Sequence, residues 1–333
     1  MSITAKELAA MLSLSEAAVS MALNHKPGVS TATRNRVIEA AQKYGYDFTK
    51  KKLSPMKGTL CMVIYRKCCV VVSEKPFFSA LSEGVSIGCK RAGYDLVIRY
   101  LYEDEDFEEQ LYLLSSSAFS GLILLATEME ELVLKRFSRL HIPFVILDTY
   151  VDSLEYNSVL INNIQGAYLA TNYLISKRKA QPGYLRSSYN IGNFLERADG
   201  FYKAIRANGM STAKSVVHRL TPSQEGAYED MKALLAAGEE PASCYFADND
   251  LIAIGAMTAL KEAGYRFPED IAIIGFDDLP VCEYFDPPLT TVHVPIHYMG
   301  EIATERLIHL VENPSALPVK IEIGTQLKKR KSV

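Results

Sequence analysis

The spacing of apolar residues changes character near residue 58. Upstream, three short stretches carry apolar side chains at helical spacing; downstream, continuous apolar runs alternate with longer helical patterns. The first stretch, Ala5 to Leu12, follows Thr4, and Glu7 three residues on completes a capping box. A second follows Ser15 as N-cap and reaches Leu23, where Asn24, His25, Lys26, Pro27 and Gly28 break it. The third, capped by Ser30 or Thr31, carries Val37, Ile38, Ala41 and Tyr44 at helical spacing and stops at Gly45. Leu8, Leu12, Val19 and Leu23 predict a minimal core, with Ala9 small where two helices approach closely. The turn between the first two helices is too tight for side-by-side packing. That predicts a helix-turn-helix, whose second helix suits a DNA major groove.

Residues 47–58, DFTKKKLSPMKG, have no apolar period and predict a linker. From Thr59 onward TLCMVIY, YDLVIRYL, GLILLAT, PFVILDTY and SVLIN predict strands, separated by helices at PFFSALSEGV, at DEDFEEQ and over Glu130–Leu140. The rhythm repeats in PGYLRSS, SVVHRL, SCYFADN and IAIIGFDD, among helices near 165–177, 193–208, 223–237 and 250–263. Apolar runs between helices indicate parallel sheets covered on both faces, so the body is expected to be α/β, two doubly wound lobes with a cleft between them. Ligands of open α/β sheets sit beyond the carboxyl ends of the strands. The polar residues closing these strands, Asp148, Asp248, Asn249 and Asp277, are therefore expected to face the cleft.

Composition is ordinary for a globular chain of 333 residues, 48% hydrophobic and 23% charged. No apolar run reaches membrane-span length, and MSITAKEL lacks a charged-then-apolar leader, so a cytoplasmic protein is expected. Charge is uneven: residues 1–58 hold nine Lys/Arg against four acids, and the remainder 27 against 35. A basic head on an acidic body fits a chain that meets phosphate at one end. The cysteines at 61, 68, 69, 89, 244 and 282 have no paired metal-ligand spacing and read as buried thiols. There is no nucleophile elbow, P-loop or HExxH, and the six histidines are isolated apart from His293 and His297, which flank Pro295. No enzyme, metal or cofactor is expected.

KELAAMLSLSEAAVSMALN followed by KPGVSTATRNRVIEAAQKYGY closely resembles the DNA-binding headpiece of the lactose-repressor family. PFFSALSEGV, PFVILDTY, NFLERADGF, FADNDLIAIGAM, IAIIGFDD, PPLTTVHVP and LKKRKSV follow in family order, so the resemblance spans essentially the whole chain. It implies a small all-α helix-turn-helix headpiece at 1–49, a hinge at 50–58, and at 59–333 a core of periplasmic-binding-protein type I. In that fold the chain crosses between lobes three times, here expected near Asn162, Leu289–Val292 and Val319–Lys320. The N-lobe would take 59–161 and 291–319, and the C-lobe 162–290 and 320–333. The resemblance also implies a transcription regulator, a repressor that binds a pseudo-palindromic operator in double-stranded DNA as a homodimer. A small-molecule effector between the lobes would control it. Without a heptad tail after KKRKS, a tail-mediated tetramer is not expected.

Carried onto this chain, the family's base-reading positions are Glu16, Ala17 and Met21. Met21 stands where an arginine is usual, removing a guanidinium-to-guanine contact; Glu16 suits a cytosine amine, and Ala17 or Met21 a thymine methyl. Glu16 would equally favour a helix N-terminus, and Met21 a partly buried site. Ser15, Ser20, Asn24, Ser30, Thr33 and Arg34 are the phosphate candidates, Ser15 and Ser30 doubling as helix caps. Ser13 replaces the common turn glycine, which costs about 1 kcal/mol if its backbone is left-handed. In the hinge Lys51 and Lys52 suit phosphate, while Pro55 takes the place of a leucine that wedges into the minor groove, with Leu53 two residues earlier. The cleft candidates are Phe78, Asp148, Arg197, Phe246, Asn249 and Asp277, with Phe77 a lower-ranked neighbour. Carboxylates and a guanidinium that bind hydroxyls, with aromatic faces over C–H surface, suit a sugar, and they suit a purine almost as well, since rings stack and an acid accepts ring N–H; a sugar is expected ahead of a nucleobase. A solute-binding protein and an α/β enzyme acting on a sugar or nucleotide are the alternatives; the headpiece argues against the first, and the missing acid–base or nucleophile set against the second.

Overall fold

The computed structural model describes residues 3–24, 26–46, 56–67, 71–72 and 76–333. The chain forms two compact units, Met1–Pro55 and Met56–Val333. The hinge candidates Lys51, Lys52, Leu53 and Pro55, together with His25, Cys68 and Cys69, lie outside the described residues.

The first unit holds α1 (Ala5–Leu12), α2 (Glu16–Leu23) and α3 (Thr31–Lys43). Thr4 and Glu7 form the capping box: the Glu7 amide donates to Thr4 Oγ1 at 3.2 Å, and the Thr4 amide to Glu7 Oε2 at 2.7 Å. After α1, Ser13 adopts the left-handed conformation, φ 54° and ψ 43°, and the Leu14 amide reaches back to the Ala9 carbonyl at 3.0 Å. This wrap-back closes the tight turn before α2. Leu8, Ala9, Val19, Ala22, Val37, Ala40 and Ala41 are buried, with Leu12 and Leu23 packed against them. Arg36 on α3 donates to the Leu12 carbonyl at 3.2 Å, satisfying one of the open acceptors at the end of α1.

Among the described residues the second unit contains two six-stranded sheets. The first lobe is built on β1 (Thr59–Arg66), β2 (Asp95–Tyr102), β3 (Gly121–Leu125), β4 (Phe144–Leu147) and β5 (Ser158–Ile161). Its helices are α4 (Pro76–Ala92), α5 (Phe107–Ser115) and α6 (Glu131–Phe137), joined late in the chain by α12 (Ile296–Glu312). The second lobe is built on β6 (Gly183–Ser187), β7 (Val217–Leu220), β8 (Cys244–Ala247), β9 (Ala272–Asp277) and β10 (Thr290–His293). Its helices are α7 (Asn163–Arg178), α8 (Gly192–Ala207), α9 (Gln224–Ala236), α10 (Asp250–Glu262) and the short α11 (Val281–Tyr284). Two short strands, β11 (Lys320–Ile323) and β12 (Gln326–Lys328), complete the sheets, in the orders β11-β5-β4-β3-β1-β2 and β12-β10-β9-β8-β6-β7. All pairings are parallel except β10 with β12.

The sheets shift two of the expected crossings. β10 pairs with β9 in the second lobe, so the chain returns to the first lobe at Val294–Pro295, after rather than within 289–292. β11 pairs with β5 of the first lobe, so the last crossing falls at Gly324–Thr325 instead of 319–320. Residues 291–293 thus belong with the second sheet and 320–323 with the first. The first crossing does follow β5, at Asn162, whose side chain caps α7 by accepting from the Gln165 amide at 2.9 Å. The expected helix over 130–140 ends at Phe137 and continues as a single 3-10 turn to Leu140. α12, not among the predicted elements, packs on α4 where Gly84 and Gly300 let the backbones touch: a Cβ on Gly84 would lie 2.2 Å from the His297 carbonyl oxygen.

Among the described residues no helix is long and apolar enough to cross a membrane. Cys61, Cys89, Cys244 and Cys282 are free and buried, and burial pushes the Cys61 thiol up to about 12.

Candidate functional site

α2 carries Glu16, Ala17, Ser20 and its C-cap Asn24 on one exposed side, while Val19 and Ala22 face the core. Met21, one turn beyond Ala17, is half-buried beside Gly28, where an added Cβ would lie 2.8 Å from its sulfur. Its sulfur thus packs on the α2–α3 loop, so the side chain is structural as well as a reading candidate. Several phosphate candidates have local duties too. Ser15 Oγ accepts from the Ala18 amide at 3.1 Å, and Ser30 Oγ accepts from the Thr33 amide at 3.1 Å and shares a 2.8 Å bond with the Thr33 hydroxyl. Asn24 donates to the Ser20 carbonyl at 2.8 Å, and Arg34 holds the Lys26 carbonyl at 2.7 Å. These bonds fix the α2–α3 loop while leaving further guanidinium and hydroxyl donors available.

In the second unit a cleft of about 510 Å³, partly open to solvent, lies where the carboxyl ends of both sheets meet. Phe77, Phe78, Thr127 and Asp148 line it from the first lobe; Asn193, Phe194, Arg197, Asn249 and Asp277 line it from the second. Five of the six sequence candidates meet here: Phe78, Asp148, Arg197, Asn249 and Asp277. Phe246 does not. Its ring is fully buried, packed with Tyr184, Phe201 and Phe276, and it is a core residue. Asp248, expected at the cleft, also points inward: it accepts from the Tyr184 hydroxyl and from the Ser187 amide, and burial raises its carboxyl to about 6.

The two cleft aspartates occupy matching places, each closing a central strand, and both have left-handed backbones, with φ 69° at Asp148 and 113° at Asp277. Such strain in non-glycine residues concentrates at functional sites. Asp148 is 2% exposed. The Thr127 hydroxyl donates to its Oδ2 at 2.6 Å, while its Oδ1 is buried and accepts no hydrogen bond of good geometry. Burial pushes this carboxyl up to about 6, with Thr127 and Arg197 pulling the other way.

Arg197, 4% exposed, is held on every side. Nε donates to Asn163 Oδ1 at 2.9 Å, Nη1 to the Asp248 carbonyl at 2.5 Å, and Nη2 lies 3.2 Å from Asp277 Oδ1. The guanidinium stacks on Phe276 with its carbon 3.8 Å from the ring centroid. Asn163 in turn donates to Glu196 Oε2 at 2.8 Å. Asn249 caps α10, accepting from the Ile252 amide at 2.8 Å. Phe77 and Phe78 meet edge to face, 5.1 Å between centroids. Asn193 and Phe194, which the sequence reasoning missed, precede Arg197 by one helical turn; that spacing was the available signal.

A model of the periplasmic binding protein-like domain matches residues 171–333. The HTH-type transcriptional repressor PurR of Mannheimia succiniciproducens is 30% identical over 334 residues, covering 99% of this chain and 98% of that protein. This chain belongs to the lactose-repressor family of transcription regulators. The regulator is also 31% identical over 306 residues to the HTH-type transcriptional regulator GalS of Salmonella typhimurium, covering 91% of this chain and 88% of that one. Its core matches a LacI family transcriptional regulator from Enterococcus faecium, solved with bound ribose, at TM-score 0.71 and 25% identity, covering 82% of this chain and 98% of that chain. It is therefore a DNA-binding regulator controlled by a small molecule, and not an enzyme.

Proposed function

We propose that the regulator is a cytoplasmic repressor which binds a pseudo-palindromic operator as a homodimer and releases or tightens on it when a neutral sugar enters the cleft. The observation that carries the sugar reading is the pair Asp148 and Asp277 at matching strand ends. Among the described residues one guanidinium, that of Arg197, lies between them, and it already touches Asp277. Among the described lining residues carboxylate and amide acceptors stand beside a guanidinium that is already engaged, which suits a ligand with many hydroxyl donors. Phe77, Phe78 and Phe194 offer rings to C–H surface. The ribose bound to the Enterococcus faecium regulator favours the same class.

On the DNA side Glu16, Ala17 and Met21 read bases, and Ser15, Ser20, Asn24, Ser30, Thr33 and Arg34 meet phosphate. Lys51 and Lys52 add phosphate contacts in the hinge, where Pro55 and Leu53 replace the usual wedge. A single headpiece of this size buries too little DNA for tight specific binding, which favours two copies on two half-sites. The edge strand β2 leaves Ile98 and Tyr100 exposed, and Val281 and Tyr284 are exposed on the second lobe, giving a second copy apolar surface to cover.

A thermal-shift screen of sugars, sugar phosphates and nucleobases against the full chain tests the ligand class. A ligand at a hundred times its Kd adds about 2.7 kcal/mol of stability. A neutral sugar that stabilises the wild type, and leaves Arg197→Ala unshifted, is the expected result. Stabilisation by a nucleobase alone contradicts the sugar reading.

A further inference from the structure

Where β9 ends, the cleft residues Asp277 and Leu279 flank Asp278, whose side chain turns away to other partners. Asp277 and Asp278 have left-handed backbones, φ 113° and 60°, and among the described residues no other two successive non-glycine residues do. Such a pair persists only where surrounding contacts over-determine it. Here His293, Arg330 and Asp250 supply them. His293 Nδ1 lies 2.8 Å from Asp278 Oδ2, and Arg330 Nη2 donates to Asp278 Oδ1 at 2.7 Å. An ionised carboxylate only accepts, so the imidazole hydrogen sits on Nδ1. The Leu279 amide donates to Asp250 Oδ2 at 2.8 Å, and the Thr291 hydroxyl holds Asp250 Oδ1 at 2.5 Å.

His293 closes β10 in register with Asp277, and the next two residues, Val294 and Pro295, carry the chain back to the first lobe. Asp277 meets Arg197 at 3.2 Å on the cleft side. The Asp278 carboxylate therefore stands one residue from the cleft pair and one hydrogen bond from the second lobe crossing. We infer that His293 is a positioning residue for the regulatory response: through Asp278 it holds the strained corner and the second crossing in one arrangement, so that movement at Asp277 is passed to the crossing.

The corner can settle in two ways. With the His293–Asp278 bond closed, the left-handed pair is held and Asp277 faces Arg197. With it open, both aspartates relax toward ordinary backbone angles, which shifts Asp277 and releases Val294–Pro295 together. Coupling between sites needs an element of this kind, with two discrete arrangements that both sites bias. The His293 side chain is 38% exposed and that of Asp278 10%. An imidazole so open adds little packing, which leaves its bond to a nearly buried carboxylate as its contribution. The inference goes beyond the sugar reading and does not depend on which ligand enters the cleft.

Hydrogen exchange and operator binding of the full-length protein test it, with a duplex selected from random DNA on the wild type as the operator. His293→Ala should speed exchange over residues 289–299 about tenfold and shift operator affinity by about fivefold or more, while exchange over the headpiece helices stays unchanged. His293→Asn, whose amide nitrogen stands two bonds from Cβ as Nδ1 does, should restore both to within about twofold of wild type. Asp278→Gly removes the carboxylate and accepts the left-handed backbone, so adding His293→Ala to it should change nothing further. Faster exchange at the crossing with unchanged operator affinity would make His293 a purely structural residue and overturn the inference. Failure of His293→Asn to rescue, or a His293→Ala effect that survives in Asp278→Gly, would overturn it too.

Discussion

Asp148 concentrates the physical problem of the cleft in one side chain. Its carboxyl is raised to about 6 from an ordinary 3.8, chiefly by burial, so the folded protein holds its proton more tightly than the unfolded chain does. The stability this gives is fully present below about pH 4 and is lost as pH rises through 6, leaving a fixed penalty at neutral pH. Asp148→Asn should therefore stabilise the ligand-free core at pH 8 by on the order of 2–3 kcal/mol, change little at pH 4, and weaken effector binding; urea midpoints at the two pH values check it. An unchanged midpoint at pH 8 would show that the carboxylate is better solvated than its burial indicates. On the DNA side, Met21→Ala should alter preference at one base pair of each half-site by less than the roughly 1–3 kcal/mol of a bidentate hydrogen-bonded contact, whereas Ser30→Ala should weaken all sequences alike, as binding to single-base operator variants would show. Legibility at this scale followed chemistry. Asp148 and Asp277 were readable as polar residues closing apolar strands and Arg197 from the family resemblance, whereas Phe246 was misplaced because every residue of β8 is buried. Where both faces of a strand are covered, alternation gives no sign of which rings face a cleft and which the core.

At the level of elements, local signals were read well and distant pairings poorly. The capping box, the break after Leu23 and the three headpiece helices follow from contacts within a few residues, and so do the strand–helix alternations of both lobes. The last two crossings were misplaced because β11 and β12 are runs of four and three residues whose sheets are decided by partners far away in sequence, Ser158–Ile161 and Thr291–His293. Ser13 is the local feature with a measurable cost. Its left-handed backbone closes the turn on which the orientation of α2 depends, and serine is a poorer choice there than glycine. Ser13→Gly should stabilise the headpiece by about 1 kcal/mol, slowing amide hydrogen exchange over residues 5–43 of the full chain by roughly fivefold. Faster exchange in the variant would mean that the serine side chain makes a contact worth more than the strain.

For the whole molecule, binding of a small ligand where two sheets meet must be coupled to binding of DNA by a separate compact unit. Such coupling is a free-energy difference between two arrangements of the core, typically 1–3 kcal/mol. In the homodimer we propose, that difference would be read out as a change in operator affinity. Replacing Tyr100 or Tyr284 with glutamate, each an exposed apolar ring, should weaken self-association and operator binding together while leaving effector binding by the core intact; sedimentation beside calorimetry would separate these. The most direct test of the account is a fluorescence-anisotropy titration of an operator selected from random duplexes, run with and without the sugar found by thermal shift, across a series of salt concentrations. A pseudo-palindromic site is expected, with affinity falling steeply with salt as condensed counterions are released, and a shift of about 5- to 150-fold on adding the sugar. Selection of no two-fold site, or an operator affinity indifferent to a sugar that demonstrably fills the cleft, would contradict it.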